Sequence, residues 1–156
     1  MRRKDREITD TNAIYDLLRH AEYGTLSLSD GEVPYAVPMS VGFFLEDGVP
    51  YLCWHGAREG KKAALLRRHP KIVYSCVSEC VRDFAPERLH WSFFYQSAVA
   101  TGTAQEVFDL AEKSRLLHRL LEHYGEKRFF EIPRPMLETL GVWKCRIDHV
   151  TGKAHR

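Results

Sequence analysis

Val33-Pro-Tyr-Ala-Val-Pro-Met-Ser-Val-Gly-Phe-Phe-Leu45 alternates with period two, and its two faces differ in kind. Val33, Tyr35, Val37, Met39, Val41, Phe43 and Leu45 point one way. Ala36, Pro38, Ser40, Gly42 and Phe44 point the other, forming a small and partly polar face. Pro38 offers no N–H to a ladder, so this strand predicts an edge, a bulge or an opening of the sheet. Small residues also let another backbone or a flat ligand approach, although a half-exposed barrel strand has the same pattern.

Working outward, Thr25, Leu26 and Leu28 begin the period-two pattern and lead into the turn Ser29-Asp30-Gly31. On the other side, Glu46-Asp47-Gly48 predicts a hairpin into a strand at residues 50–55. A helix follows Gly60, and Pro70 stops it before a strand at residues 71–78. Ile14, Leu17, Leu18 and Ala21 predict a helix over residues 10–22, with Gly24 as its C-cap. The charges and Pro86 mark residues 79–90 as a loop. Residues 91–107 form a long strand with a bulge at Gly102. Asp109 and Glu112 supply a capping box for a helix over residues 110–124, with a short helix after Pro133 and a last strand at residues 142–150. Strands outnumber helices. Long strands broken by Gly or Pro and joined by hairpins favour an antiparallel barrel, in a mainly β (α+β) single domain spanning residues 1–156, over a doubly wound sheet.

The 156 residues suffice for one domain with a real core, and 23 basic against 21 acidic residues create no field pointing to nucleic acid. The run Arg2, Arg3, Lys4, Arg6 is interrupted by Asp5 and Glu7 and reads as a solvated tail. Neither a signal-peptide core nor an apolar stretch of membrane-spanning length occurs, which predicts a cytoplasmic protein with no membrane partner. Cys53, Cys76, Cys80 and Cys145 lack paired CxxC spacing and read as free thiols. Cys76 and Cys80 stand four apart, but no second pair stands at a zinc spacing, so no metal is expected.

The chemistry concentrates in Tyr51-Leu-Cys-Trp-His-Gly-Ala-Arg-Glu-Gly-Lys-Lys-Ala-Ala-Leu-Leu-Arg-Arg-His-Pro70. A strand runs into a glycine-marked turn and then into a helix opening with Lys61 and Lys62. Free N–H groups, the helix dipole and two ammonium charges together make a phosphate site. Adjacent residues on a helix do not share a face, so one lysine is better placed than the other. His55 stands beside that site as a candidate orienter or proton donor. Arg67 and Arg68 lie two turns on and read as solvated, and the other seven histidines read as surface or core-edge residues. Dinucleotide, Walker, zincin and nucleophile-elbow motifs are absent. Aromatics on both faces of residues 91–97 predict a strand that fills the barrel on one side and meets a second subunit on the other.

These residues, in this order, resemble the FMN-binding split-barrel family of pyridoxamine 5'-phosphate oxidase, and more closely its nitroimidazole-resistance branch. The likeness rests on Arg2-Arg3-Lys4-Asp5-Arg6-Glu7-Ile8, Gly24-Thr25-Leu26, Pro34-Tyr35-Ala36-Val37-Pro38 and His55-Gly56-Ala57. It continues through Gly60-Lys61-Lys62, His69-Pro70, Tyr95-Gln96-Ser97-Ala98-Val99, Gly102 and Thr151-Gly152-Lys153. The resemblance implies a six-stranded antiparallel split β-barrel with flanking helices, acting as a homodimer with FMN at the subunit interface. It places the phosphate on Lys61 and Lys62, with Lys62 the better match, and gathers Gly56, Ala57 and Gly60 around it. Val37, Pro38, Met39 and Ser40 would lie along the flavin ring, His55 beside ring and substrate, and Tyr95 and Ser97 would reach in from one subunit or the other. Ser40 stands where the branch usually has Asn. Trp54 replaces a more usual Phe, with bulk that would narrow the pocket.

The expected activity is FMN-dependent reduction of a small acceptor such as a nitroimidazole or other nitroaromatic. FAD, a deazaflavin or haem are the alternative cofactors. A flavin- or haem-binding storage or sensor module is the alternative function. A pyridoxamine-phosphate oxidase proper ranks third, because that enzyme's longer basic C-terminal segment is missing here.

Overall fold

A computed structural model describes residues 3–31 and 33–155, with the Arg88 side chain left aside; Arg2 of the basic run falls outside the described residues. Among them, eight strands make one antiparallel sheet: β1 (Glu7–Ile8), β2 (Gly24–Leu28), β3 (Tyr35–Met39), β4 (Gly42–Glu46), β5 (Val49–Ala57), β6 (Lys71–Ala85), β7 (His90–Val107) and β8 (Leu140–His155). Four helices accompany it, α1 (Thr11–His20), α2 (Lys61–Arg68), α3 (Leu110–His123) and α4 (Arg134–Thr139).

The strand order is β3-β2-β6-β7-β8-β5-β4, with β1 added to β8. The two edges, β3 and β4, are consecutive in the chain and joined only through Ser40 and Val41. A sheet with such edges must curl until they meet, yet no ladder joins them. This is a split barrel with flanking helices, carrying eight strands where six were expected.

The single strand expected over residues 33–45 is therefore two. Alternation holds through β3, where Ala36, Pro38 and Ser40 are exposed while Tyr35, Val37 and Met39 pack on the core. It fails beyond Val41, because Phe43 and Phe44 are both buried, each in a different core. Pro38 sits on an edge strand, the place in a sheet where a residue without an N–H is tolerated.

The first core fills the barrel with Leu26, Val41, Phe43, Leu52, Trp54, Tyr74, Ala100 and Trp143, closed by Leu17 and Leu18 of α1 and Leu65 and Leu66 of α2. The second joins Phe44, Cys53 and Val142 to Leu116, Leu117 and Leu120 of α3 and Leu137 of α4. Lys113 of α3 is buried there, donating to the carbonyls of Leu137 at 2.9 Å and Leu140 at 2.7 Å.

Local signals mostly resolve as expected. Asp10 accepts from the Asn12 N–H at 2.9 Å to start α1, and Asp109 accepts from the Glu112 N–H at 2.8 Å to start α3. Glu112 does not close the box; it clamps Arg115 at 2.6 Å. Asp47 at φ 51° and Gly48 at φ 78° give the hairpin its two left-handed positions. The register shifts between Thr101 and Gly102, where a Cβ on Gly102 would collide with the Arg146 carbonyl.

Three expectations are corrected. Gly24 opens β2 instead of capping α1, whose C-cap is Ala21; the Tyr74 ring occupies the space a side chain at Gly24 would need. The N-terminal segment is no solvated tail, since a 3₁₀ turn at Lys4–Arg6 leads into β1, with Glu7 opposite Lys153 and Ile8 opposite Gly152. Residues 79–90 are not a loop. Pairing runs unbroken from Cys80 opposite Tyr95 to Ala85 opposite His90, and the Asp83–His90 contact at 2.7 Å ties the ladder near its tip. Cross-strand partners outweighed the local loop signals of Pro86 and the charges.

Candidate functional site

β5 delivers His55, Gly56 and Ala57 to the edge of the barrel, and residues 58–60 turn the chain into α2. His55 is exposed while its neighbour Trp54 is fully buried, as strand alternation requires. Trp54 therefore fills the core and does not narrow a pocket beside His55. Gly60, the N-cap of α2, has φ 103°, a conformation that favours glycine. No side chain caps this helix, and its first intrahelical bond runs from the Ala64 N–H to the Gly60 carbonyl at 3.0 Å. The N–H groups of Lys61, Lys62 and Ala63 thus have no intrahelical acceptor and stand at the positive end of the dipole.

The two lysines part company. Lys61 pairs with Asp30 at 2.7 Å and lies over the Tyr35 ring. Lys62 turns inward, is half-buried, and places Nζ 3.0 Å from the Met39 thioether sulfur. A Cβ on Gly56 would come within 3.0 Å of the same Nζ, so that glycine makes room for the ammonium. No carboxylate pairs with Lys62 among the described residues, and burial lowers its pKa from the ordinary lysine value. The His55 pKa is also lowered, first by burial and then by the Lys62 charge. A cation with a thioether for a neighbour, a neutral imidazole and helix-start N–H groups form an arrangement that can hold an anion.

Arg67 is not the solvated residue its position suggested. Its guanidinium grips Glu106 of β7 at 2.6 and 2.7 Å and also donates to the Arg58 carbonyl at 2.8 Å. Arg58 in turn donates to the Glu138 carbonyl on α4 at 2.9 Å. Glu106 lies 39 residues from Arg67 in the chain, beyond any local pattern.

The remaining candidates fall in two places. Met39 adjoins Lys62, and Val37 and Pro38 continue along the same edge strand. Ser40 lies at the crossing from β3 to β4, on the side of Tyr124, whose hydroxyl donates to the Glu22 carbonyl at 2.9 Å. Tyr95 and Ser97 are elsewhere. Ser97 pairs with Lys153 on β8, whereas His55 pairs with Val142 near that strand's other end. At about 3.3 Å per residue, these positions lie on the order of 35 Å apart along β8. One chain does not bring them together. Around Tyr95 the structure gathers Lys153, 5.6 Å from the ring centroid, and Arg6; both lower the phenol pKa, Lys153 by the larger share.

The expectation that one face of residues 91–97 fills the barrel is also corrected. Trp91, Phe93 and Phe94 stand on an arm formed by the far ends of β6 and β7, exposed by 63%, 51% and 39%. None of the three fills the barrel. No group of three or more His, Cys, Asp or Glu among the described residues is placed to hold a metal ion, and no helix is long and apolar enough to cross a membrane.

Residues 10–154 match the family model of pyridoxamine 5'-phosphate oxidase. The chain belongs to that family. Among solved structures it is similar to a candidate 5-nitroimidazole antibiotic resistance protein from Bacteroides thetaiotaomicron, at 27% identity and TM-score 0.81, over 94% of this chain and 85% of that one. It shares its fold with a flavocytochrome from Azotobacter vinelandii (18% identity, TM-score 0.81, 100% and 72% covered). The fold also matches an FAD and haem binding protein from Mycobacterium smegmatis (21% identity, TM-score 0.78, 97% and 74% covered). A search of curated proteins returns no match.

Proposed function

We propose that this protein is a flavin-dependent oxidoreductase that binds FMN and reduces a small acceptor such as a nitroaromatic. The observation that carries this reading is Lys62, a half-buried ammonium in the first turn of a helix with no side-chain cap, which has a thioether and no carboxylate as its partner among the described residues. A phosphate monoester supplies the missing charge and the missing acceptors. The structural neighbours, a candidate nitroimidazole-resistance protein, a flavocytochrome and an FAD and haem binding protein, support a flavin in this fold.

When bound, the flavin supplies the two-electron redox chemistry. The chain supplies the rest. Lys62 and the first turn of α2 hold the phosphate. The small, exposed face of Ala36, Pro38 and Ser40 offers a flat surface for a ring, and His55, accessible and neutral at rest, orients the acceptor or, once protonated by solvent, passes it a proton from Nδ1 or Nε2 and returns to the neutral imidazole.

The working form in this reading is a homodimer with the cofactor between subunits. Two observations support it: Tyr95 and Ser97 lie too far from His55 to serve the same site within one chain, and the outer face of β6 and β7 exposes Val73, Val77 and Val99 below the aromatic arm. A contiguous apolar surface of this kind marks an association site.

The test is an absorption spectrum of the purified protein with mass spectrometry of the released ligand. A yellow protein releasing FMN, bleached by dithionite and recovering its colour with a nitroaromatic acceptor, is the expected result. A colourless protein indifferent to added FMN, or a Soret band in place of the flavin bands, overturns the reading.

A further inference from the structure

We propose that Arg67 is a positioning residue for the anion site, holding the turn at residues 58–60 and the start of α2 in the one arrangement that receives a phosphate, and thereby setting affinity for the phosphorylated cofactor. This rests on the phosphate reading above.

The turn has little else to hold it. Arg58, Glu59 and Gly60 are exposed, Gly60 has no side chain, and no side-chain cap anchors the helix start. Anchorage comes instead from ionic groups. Arg67 sits two helical turns beyond Gly60, and long side chains on a helix lean back toward its N-terminus. Its guanidinium thus reaches the turn, bonding the Arg58 carbonyl while both remaining bonds grip Glu106 on the barrel. Only 7% of the Glu106 side chain is exposed, so the pair is fixed to a rigid strand. The Arg58 side chain extends the brace to α4 through the Glu138 carbonyl. Loss of the brace would leave the turn free to swing, and N–H groups that point in scattered directions bind an anion poorly.

Lysine carries one ammonium and lacks the planar fork, so Arg67→Lys keeps the charge and a single contact to Glu106 but releases the Arg58 carbonyl. The double variant Arg67→Ala, Glu106→Gln removes the brace without stranding an ionised carboxylate. Fold is checked by circular dichroism and thermal melting. FMN and riboflavin, identical but for the phosphate, are then titrated separately into the full chain freed of bound flavin, followed by quenching of flavin fluorescence.

The wild type should prefer FMN, and both variants should lose about tenfold in FMN affinity, in keeping with one charge-assisted hydrogen bond, with riboflavin unchanged. Equal losses for the two ligands would show a general packing defect and overturn the proposal, as would FMN affinity that stays at the wild-type value. A wild type that binds riboflavin as tightly as FMN overturns the phosphate reading itself, and the brace with it. A wild type that prefers FMN alongside variants with the same preference removes the brace alone.

Discussion

The entry to α2 and the arm of β6 and β7 are both unfinished, in opposite ways. At α2 a cation lies half-buried with a thioether beside it, while Lys61, one residue earlier, has its carboxylate at 2.7 Å. On the arm the ladder is complete to its tip, yet Phe84 and Trp91 face solvent at 64% and 63% exposure. One region concentrates positive charge and the other apolar surface. Elsewhere the molecule closes such gaps internally, as where Glu46 receives both Lys144 at 2.6 Å and Arg115 at 2.7 Å. In the proposed reading a small anion docks at the first region and a second copy of the chain covers the second, so that the sites of chemistry and of association are distinct within one chain and meet in the homodimer.

The largest expected effect falls on His55. His55→Ala should lower turnover with a nitroaromatic acceptor by about a hundredfold, the low end for a lost proton donor, while FMN affinity moves little. Because the side chain is exposed, the melting temperature should hold. A parallel fall in stability would make His55 a structural residue and erase its difference from the arm.

Next in size is the contrast between the lysines. Lys62→Ala should weaken FMN by roughly thirtyfold, corresponding to about 2 kcal/mol for a charge-assisted contact, and Lys61→Ala by no more than about threefold, as its charge is already paired at the surface. Equal effects in fluorescence titrations would remove the distinction drawn from Met39 and Asp30.

The arm is tested by sedimentation. Trp91→Ser with Phe93→Ser should raise the dimer dissociation constant by at least about tenfold, since aromatic anchors dominate such interfaces. Exposed Cys80 reports the same event, its labelling slowing as wild-type concentration rises. Cys53 and Cys145, each pushed up to about 12 by burial, should stay unlabelled throughout. A wild type that is monomeric at every concentration would break the comparison at this end.

The smallest effect is on the His55 titration followed by NMR. Lys62 opposes the imidazolium, so Lys62→Met should move the His55 midpoint upward, toward the ordinary value of 6.5. The sign carries into stability. With the folded pKa lowered, the unfolded chain binds more protons, so stability falls as pH drops below 6.5 and levels off above it. That fall should be shallower in Lys62→Met. An unmoved midpoint would place the two groups out of electrostatic contact.

Much of the local structure was legible because its causes are local. Asp10 and Asp109 announce helices by capping them, Asp47 and Gly48 announce a hairpin, and Gly102 announces a bulge. That Lys61 and Lys62 face different surroundings was likewise readable, from the rule that neighbours on a helix diverge. Residues 79–90 were misread because Pro86 and a run of charges mimic a loop, while their pairing partners lie across the hairpin. Arg67 was missed for the same reason, its carboxylate being 39 residues away.

Period, caps, turn glycines and the clustered Gly60, Lys61 and Lys62 were enough to specify a mainly β domain with a candidate anion site beside a histidine, since each acts within a few residues. Long-range pairing settled everything else. It sent β3 and β4 to opposite edges of one sheet, buried Trp54 away from His55, parted Tyr95 from His55 along β8, and tied α2 to the barrel through Arg67 and Glu106. Such contacts depend on which distant strands meet, and a linear pattern carries no record of that choice.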